Sequence, residues 1–286
     1  MTAPGLDGTR QPAGLRRRAR FSFFGARLNQ WLGRRADAER WCRRALSYCD
    51  YTKAYRLLSE LQLPGEHYFK LLARVHAHVR PATYLEVGVS RGESLRLVGA
   101  QTLALGIDPQ PRVSFELPPN NMLFAQTSDE FFARRDVPKL LGGAALDMAF
   151  IDGMHHFEYA LRDFINIEPL CTPRSLIFIH DCYPIDARSA ERDQSTAFWS
   201  GDIWRLLVLL KKYRPDLSIH TLGAPPTGLG LITHLDPHST RLRQTLPQLI
   251  EEGLALDYAS IAARRAEALN LVPADWPGVR QLLDSR

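Results

Sequence analysis

The sequence lacks the marks of several protein classes. Its four cysteines, Cys42, Cys49, Cys171 and Cys182, form no C-x-x-C pair, so neither a disulfide framework nor a zinc knuckle is predicted, and a reducing cytoplasmic location is expected. No run of about 18 apolar residues indicates a membrane span, and the apolar core of a secretory signal is also missing. With 286 residues, 45% of them hydrophobic and 23% charged, the chain is expected to fold as a soluble globular protein.

Lysine and acidic residues are scarce at the N-terminus. Residues 1–50 hold eleven arginines and no lysine against four acidic residues, a net charge of +7, whereas the rest holds 25 basic and 27 acidic residues, a net charge of −2. Arg16, Arg17, Arg18 and Arg20 form the densest part of this basic arm. They could contact nucleic acid, an acidic partner or a membrane surface, or form a solvated helix face.

Composition and hydrophobic period divide the chain into four segments. Residues 1–14 are rich in proline and glycine and are predicted to be a disordered tail. Apolar residues at helical spacing predict a helical extension over 15–79, whose aromatic stripe is expected to pack on the main domain or to form a homodimer contact. Residues 80–240 alternate short β-rich runs with longer segments, and 241–286 return to a helical pattern.

The alternation in the third segment predicts a parallel sheet with helices on both faces. The last two β-rich runs are separated by only three residues. So short a connection excludes a parallel crossover and predicts an antiparallel pair at the sheet edge. The predicted fold class is therefore α/β, with five parallel strands and an antiparallel edge pair.

The most informative motif follows the first predicted strand. An apolar strand ends at Glu86 and continues through a glycine turn to a predicted helix start, which exposes backbone N–H groups to a ligand. Its E-x-G-x-x-x-G spacing differs from the G-x-G-x-x-G of dinucleotide-binding folds. It resembles the first motif of class I S-adenosylmethionine-dependent methyltransferases, in which the turn faces the methionyl part of the cofactor. The residues that this resemblance assigns to cofactor binding are Glu86, Gly88, Ser90, Gly92 and Ser94.

The second and third predicted strands also end in polar residues. Asp108 closes the second strand, where a carboxylate can accept hydrogen bonds from both ribose hydroxyls, or can cap a helix. After the third strand, Ser128 or Asp129 could meet the adenine edge, or begin a capped helix.

The fourth and fifth predicted strands end in acidic and histidine residues. Asp152 and Asp181 close them, and neighbouring parallel strands lie about 4.8 Å apart. Two carboxylates at that distance repel each other unless a cation or a proton lies between them, and Mg²⁺ is the expected cation. His155 could accept the proton of a substrate hydroxyl, bind the metal, or orient Asp152.

The run I-D-G-x-H followed by I-H-D resembles the small-molecule and sugar O-methyltransferases grouped with cephalosporin hydroxylase-like and macrocin-type enzymes. The resemblance covers about residues 80–235. It implies S-adenosylmethionine as cofactor, the strand order 3-2-1-4-5-7-6 and a small-molecule hydroxyl acceptor. It also implies Asp152 and Asp181 as metal ligands, with Asp152 a cofactor-binding residue as well. Cys182 stands where such enzymes commonly carry a further asparagine or aspartate ligand.

The leading prediction is therefore methyl transfer from S-adenosylmethionine to a hydroxyl of a sugar or secondary metabolite. Whether Mg²⁺ assists this reaction is left open. Methylation of RNA or protein through the basic arm is an alternative, but nucleic acid is disfavoured because an N-P-P-Y motif is absent. A non-catalytic module that keeps the cofactor fold and docks through its N-terminal helices is the other alternative, since a fold by itself does not fix function.

Overall fold

The computed structural model describes residues 12–286. Residues 1–11 of the predicted tail lie outside the described residues. Ala13 and Gly14, which were predicted to belong to the tail, are the first two residues of the first helix. The helices are α1 (Ala13–Trp31), α2 (Arg35–Leu46), α3 (Thr52–Gln62), α4 (Tyr68–Val79), α5 (Ser128–Arg134), α6 (Val137–Leu140), α7 (Phe157–Ile167), α8 (Trp204–Tyr213), α9 (Arg241–Gln244), α10 (Leu246–Ala255), α11 (Ala259–Ala262), α12 (Arg265–Ala268) and α13 (Trp276–Asp284). The strands are β1 (Thr83–Val87), β2 (Leu103–Asp108), β3 (Asn121–Ala125), β4 (Leu146–Ile151), β5 (Cys171–His180), β6 (Ser218–Leu222), β7 (Leu229–Thr233) and β8 (Leu271–Val272).

The strands pair in one sheet with the order β3-β2-β1-β4-β5-β7-β6-β8. Strands β1 to β5 are mutually parallel, and β7 runs antiparallel to both β5 and β6. The predicted fold class and the order of the first seven strands are confirmed. The eighth strand, which extends the edge by pairing parallel with β6, was missed because two residues are too short to show a period of two.

Apolar residues bury both faces of the sheet. Leu85 and Val87 of β1 point into the larger core, which also receives helices α1 to α3, α5, α7 and α8, while Tyr84 points into the smaller core with α4 and α13. Of the predicted N-terminal extension, helices α1 to α3 therefore join the larger core and α4 joins the smaller one, while α1 and α2 pack mainly on each other and on α3. The predicted domain boundaries stay predictions.

The connections leaving β1 and β2 differ from the prediction of crossover helices. The expected helix after the glycine turn is only a 3-10 turn, Leu95–Leu97, and residues 109–120, which contain four prolines, form no helix. Phe115 and Val113 instead pack directly over Gly92. Since α4 already covers this face of the sheet, little apolar surface is left there for a crossover helix to bury.

The turn after β1 lies directly on the turn after β4. Val87 and Ile151 are paired in register, and the backbone N–H of Asp152 donates to the carbonyl oxygen of Val87 at 2.8 Å. Gly88 has φ +91°, and a Cβ atom added to it would lie 2.1 Å from the carbonyl oxygen of Asp152. Glycine is therefore required there for both its backbone conformation and its size.

We expect Gly88→Ala to lower the free energy of unfolding by about 3 kcal/mol, from backbone strain and overpacking together. Gly142→Ala is the matched control, because Gly142 also has positive φ (+64°) but an added Cβ meets nothing within 4 Å. It should cost about 1 kcal/mol. Urea denaturation of both variants measures the difference, and equal losses would show that contact with Asp152 does not constrain the turn.

Candidate active site

A cavity of about 1380 Å³ opens at the carboxyl ends of β1, β2, β4 and β5. Helix α3, the start of α4 and the loop after β5 close its other sides. Clefts that hold a single small ligand measure about 300–1,000 Å³. This cavity is therefore large enough for two ligands side by side.

The turns after β1 and β2 are joined through Asp108. Its carboxylate accepts the backbone N–H of Ser90 at 2.8 Å and that of Gln110 at 2.7 Å. Gly88, Ser90, Asp108 and Ser128 all line the cavity, as does Ser94. The structure thus brings together most of the residues predicted to bind the cofactor, and Asp108 orders the glycine turn in addition to facing the cavity.

Glu86 and Gly92 do not face the cavity as predicted. Glu86 is fully buried, and its two carboxylate oxygens accept the hydroxyls of Tyr84 at 2.8 Å and Ser94 at 2.6 Å. Gly92 makes room for Phe115, as described above. The expectation that the Glu86 carboxylate would meet a ligand is corrected, because its hydrogen-bonding capacity is used inside the protein to hold Ser94 at the cavity wall.

Burial raises the pKa of Glu86 to about 8, although the hydrogen bonds from Ser94 and Tyr84 lower it. The charges of Asp152 and Asp108 add to the rise. The native state therefore holds a proton at Glu86 in the range between its ordinary pKa of 4.5 and about 8, where the unfolded chain has released it.

At the ends of β4 and β5, an imidazole lies between two carboxylates. His180 Nδ1 is 3.1 Å from Asp152 Oδ1 and 3.3 Å from Asp181 Oδ2. Burial by itself would lower the pKa of His180, but the two negative charges raise it well above the ordinary value, and the pKa of Asp181 is correspondingly depressed. A cation or a proton was predicted to lie between these two carboxylates. The protonated imidazole of His180 supplies this positive charge.

His155 lies on the other side of Asp181. Its Nδ1 is 3.1 Å from Asp181 Oδ2, yet without the geometry of a hydrogen bond, and this buried nitrogen has no hydrogen-bond partner among the described residues. One donor atom each from Asp152, His155 and Asp181 lie within 4.8 Å of one another. The three predicted catalytic and metal-binding residues therefore converge, with an imidazole nitrogen available to a ligand.

The loop after β5 holds His155 in place. Trp199 stacks on the imidazole with ring centroids 4.9 Å apart and an interplanar angle of 8°, and the backbone N–H of Asp202 donates to the carbonyl oxygen of His155 at 3.1 Å. Arg192 pairs with Glu158 and with the buried Asp202. These contacts fasten the loop to the start of α7 and fix the orientation of the ring.

Three residues of the acid-histidine site were not predicted. Thr227 donates its hydroxyl to Asp181 at 2.6 Å, Tyr68 stacks on His180 at 4.0 Å, and Trp199 contacts His155. Their positions follow from tertiary packing, since Thr227 lies in the β6–β7 connection and Tyr68 begins α4. No motif in the sequence marks them.

Asp163 is a further residue that was missed. It lies on α7 beside Ser128 at the cavity wall, is 3% exposed, and one of its carboxylate oxygens has no hydrogen-bond partner among the described residues. Burial raises its pKa to about 7, against the lowering effect of a hydrogen bond from Ser128. An acidic residue on the apolar side of an amphipathic helix was the signal that could have found it.

Cys182, at the position of the expected further metal ligand, points away from the site. It is fully buried in the larger core, and its thiol donates to the carbonyl oxygen of Ile179 at 3.2 Å. Burial holds the pKa of this thiol well above its usual range. A neutral buried thiol takes no part in metal binding here.

Residues 85–182 match the family model described as a methyltransferase domain. The match covers 98 of the 286 residues, about a third of the chain. The matched span runs from β1 through the glycine turn, Asp108, Asp152 and His155 to Asp181, and with the strand order it confirms the predicted recognition as a class I methyltransferase and as an enzyme. A search of curated proteins gave no match.

Solved structures that are similar to this chain include two O-methyltransferases and one described as a putative O-methyltransferase. TomG from Streptomyces achromogenes, involved in tomaymycin synthesis and crystallised with S-adenosylmethionine, is 17% identical over 59% of this chain and 80% of its own, with a TM-score of 0.44. A putative O-methyltransferase from Klebsiella pneumoniae is 16% identical over 59% and 80%, with a TM-score of 0.45. The O-methyltransferase from Bacillus cereus, in complex with S-adenosylhomocysteine, is 15% identical over 58% and 79%, with a TM-score of 0.44. At this distance the likenesses carry no argument about cofactor or acceptor.

We expect Glu86→Gln to change how stability depends on pH. Because the raised pKa makes the native state bind the proton more tightly than the unfolded chain, the wild type loses stability from this site as pH rises from about 5 to about 8. Glutamine does not titrate, so the variant should gain about 2–4 kcal/mol relative to wild type between pH 5 and pH 9. Urea denaturation at both pH values measures it, with the exposed Glu116→Gln as control. A constant difference between variant and wild type would contradict the assignment.

Proposed function

We propose that the protein transfers a methyl group from S-adenosylmethionine to a hydroxyl of a small molecule. The observation that carries the proposal is that the glycine turn, Asp108 and the acid-histidine site open into one cavity with room for two ligands. A cofactor side and a reaction side therefore face each other across the same space. When bound, the cofactor supplies a methyl group activated by a sulfonium, so the protein has to orient the acceptor and remove its proton.

The cofactor side fits an adenosine group at both ends. Asp108 is half-buried at the cavity wall, with each carboxylate oxygen holding only one backbone N–H, so lone pairs remain for ribose hydroxyls. The unpaired buried oxygen of Asp163 beside Ser128 can accept an exocyclic amino group. An unpaired buried carboxylate oxygen is costly unless a ligand satisfies it, which supports an amino-bearing base at this end.

The reaction side is built for a polar acceptor. His155 presents a buried nitrogen without a hydrogen bond, and it lines the same cavity as Gly88 and Ser90 of the glycine turn. Asp181 and the stacked Trp199 fix the ring, so that the imidazole is held where it can take up the proton. The remaining wall carries both charged and aromatic side chains: Arg56 and Glu60 of α3, His67 and Tyr68 at the start of α4, and Phe198 and Trp199 of the loop.

A divalent cation fits the same three residues. Asp152, Asp181 and His155 would hold it through two carboxylates and one imidazole. Mg²⁺ prefers oxygen ligands, whereas Mn²⁺ and similar ions bind the imidazole nitrogen more readily. The unpaired nitrogen of His155 is the observation that favours it. A bound cation would lower the pKa of a coordinated hydroxyl. The predicted homodimer contact and cytoplasmic location stay predictions; no helix in the described part of the chain is long and apolar enough to cross a membrane.

Calorimetry with S-adenosylmethionine tests the cofactor. We expect micromolar binding to the wild type, weakened about 10- to 100-fold in Asp108→Asn, because the uncharged amide is a poorer partner for two hydroxyls. Asp193→Asn, an exposed aspartate in the loop after β5, is the matched control and should bind normally. Absence of binding by the wild type would leave the non-catalytic module as the answer.

A second set of measurements distinguishes cation-assisted catalysis from base catalysis by His155. In an assay with labelled cofactor and a panel of hydroxyl acceptors, Asp181→Asn and His155→Gln should each lower turnover by about 100-fold or more while leaving cofactor affinity nearly unchanged. His156→Gln is the control, since its Nε2 contacts the backbone of Arg192 outside the cavity.

Electron paramagnetic resonance with Mn²⁺ reports binding without turnover. If a cation is held by the three residues, Mn²⁺ should bind the wild type and not Asp152→Asn, and chelator should abolish methyl transfer. Full turnover in chelator would restrict the site to base catalysis by His155. Normal turnover in His155→Gln would reject that role as well, and labelling of RNA or protein in place of small molecules would favour the alternative acceptor class.

A further inference from the structure

An exposed apolar stripe runs along helix α1 and ends just after it, at Leu32. Phe21, Phe24 and Trp31 are 72%, 70% and 82% exposed, and Leu28 and Leu32 are 48% and 45% exposed. These five residues, which we call the α1 stripe, account for most of the large hydrophobic side chains exposed in residues 12–286. Exposed apolar groups gathered on one surface mark an interaction site more often than scattered ones do.

The α1 stripe is a preformed face of an anchored helix. At about 100° per residue, its five side chains fall within an arc of about 100°. On the opposite side of α1, the small residues Ala19, Ser22 and Ala26 are buried. Helix α2 packs closely on α1, with the indole of Trp41 directly against Gly25. The helix is thus held by one face, and the stripe points outward.

Arginines flank the α1 stripe. Helix α1 contains five arginines and no acidic residue. Helical spacing places Arg16, Arg20 and Arg27 along one border of the stripe, Arg18 on the other, and Arg17 at its N-terminal end. Arg27 bonds to Gln30, and none of the five pairs with a carboxylate in the part of the chain that the structure describes. The charge of this face is therefore uncompensated.

We propose that the α1 stripe docks on an anionic lipid surface. A helix with aromatic and leucine side chains on one face and arginines along its borders can lie in the plane of a membrane interface, with the apolar side chains among the acyl chains and the guanidinium groups at the phosphates. The complementary charge is what selects this partner. The proposal concerns a surface outside the cavity and does not depend on the reaction.

Two other occupants fit less well. A second copy of the chain would bring five arginines against five, which opposes association through the same face. Nucleic acid would use the arginines and stack on the aromatic rings, but it would leave Leu28 and Leu32 without an apolar partner.

The C-terminal end of α1 lies near the cavity. Gln30 and Gly33, at the C-terminal end of α1, line a small cleft with Glu60, and Glu60 lines the cavity as well. This end of the helix is therefore close to the cavity rim, although Gln30 lies on the side of α1 away from the stripe.

Co-sedimentation of the full chain with vesicles tests the proposal. We expect binding to vesicles of equal parts phosphatidylglycerol and phosphatidylcholine and little binding to pure phosphatidylcholine. Phe24→Ala with Trp31→Ala should weaken binding by about tenfold or more, and Arg16→Gln and Arg20→Gln by about fivefold each. Raising the salt to about 1 M should weaken binding of the wild type, since screening removes the attraction to phosphates.

Two leucine variants distinguish binding through the α1 stripe from nonspecific hydrophobic binding. Leu254, on α10, has the same 48% exposure as Leu28. Leu28→Ala should weaken vesicle binding, and Leu254→Ala should leave it unchanged. Circular dichroism of each variant checks that α1 stays folded.

Four outcomes would overturn the proposal. The first two are equal binding of the wild type to neutral and anionic vesicles and equal effects of the two leucine variants. The third is that the wild type binds no vesicles but self-associates in light scattering, and that Phe24→Ala with Trp31→Ala abolishes this self-association. The fourth is that the wild type binds RNA and not vesicles. Calorimetry with S-adenosylmethionine on the same variants keeps the result separate from the proposed function, because cofactor binding should be normal in all of them.

Discussion

The architecture of the site depends on a buried imidazole between two carboxylates. Asp152 and Asp181 end adjacent parallel strands, and His180 bridges them at 3.1 and 3.3 Å. Two uncompensated carboxylates, one of them buried, would be destabilising so close together, whereas the protonated ring turns repulsion into an ion-paired cluster. Every segment that contacts this cluster is thereby fixed relative to the strand ends, which is what a site for positioned chemistry requires.

Those segments come from distant parts of the chain. Tyr68 of α4 stacks on His180, Thr227 of the β6–β7 connection donates to Asp181, and Trp199 of the loop after β5 holds His155. The helices before the sheet thus supply part of the reaction side, and the methyltransferase domain matched over residues 85–182 is completed by sequence on both sides of it. The cofactor side, by contrast, comes almost wholly from within that segment.

Charge is distributed to match this division. The buried acidic residues Asp163 and Asp181 line the cavity and Glu86 lies behind its wall, and burial and partners shift their pKa values in different directions. The arginines are concentrated on the N-terminal helices, at the surface. A single chain therefore presents an enclosed site that is rich in carboxylates and an open face that is rich in positive charge, and the two can act on different ligands.

The sequence by itself determined the sheet and the strand ends. The period of its apolar runs predicted β1 to β7 along the chain, and the family resemblance implied their order in the sheet. Asp108, Asp152, His155 and Asp181 could be placed because polar residues that end parallel strands meet at one edge. Only the tertiary structure decided which of these side chains face the cavity. Glu86 turned inward because Tyr84 and Ser94 satisfy it, and Cys182 turned into the core. Thr227, Tyr68 and Trp199 became part of the site through packing between segments far apart in the chain, for which a local pattern holds no signal.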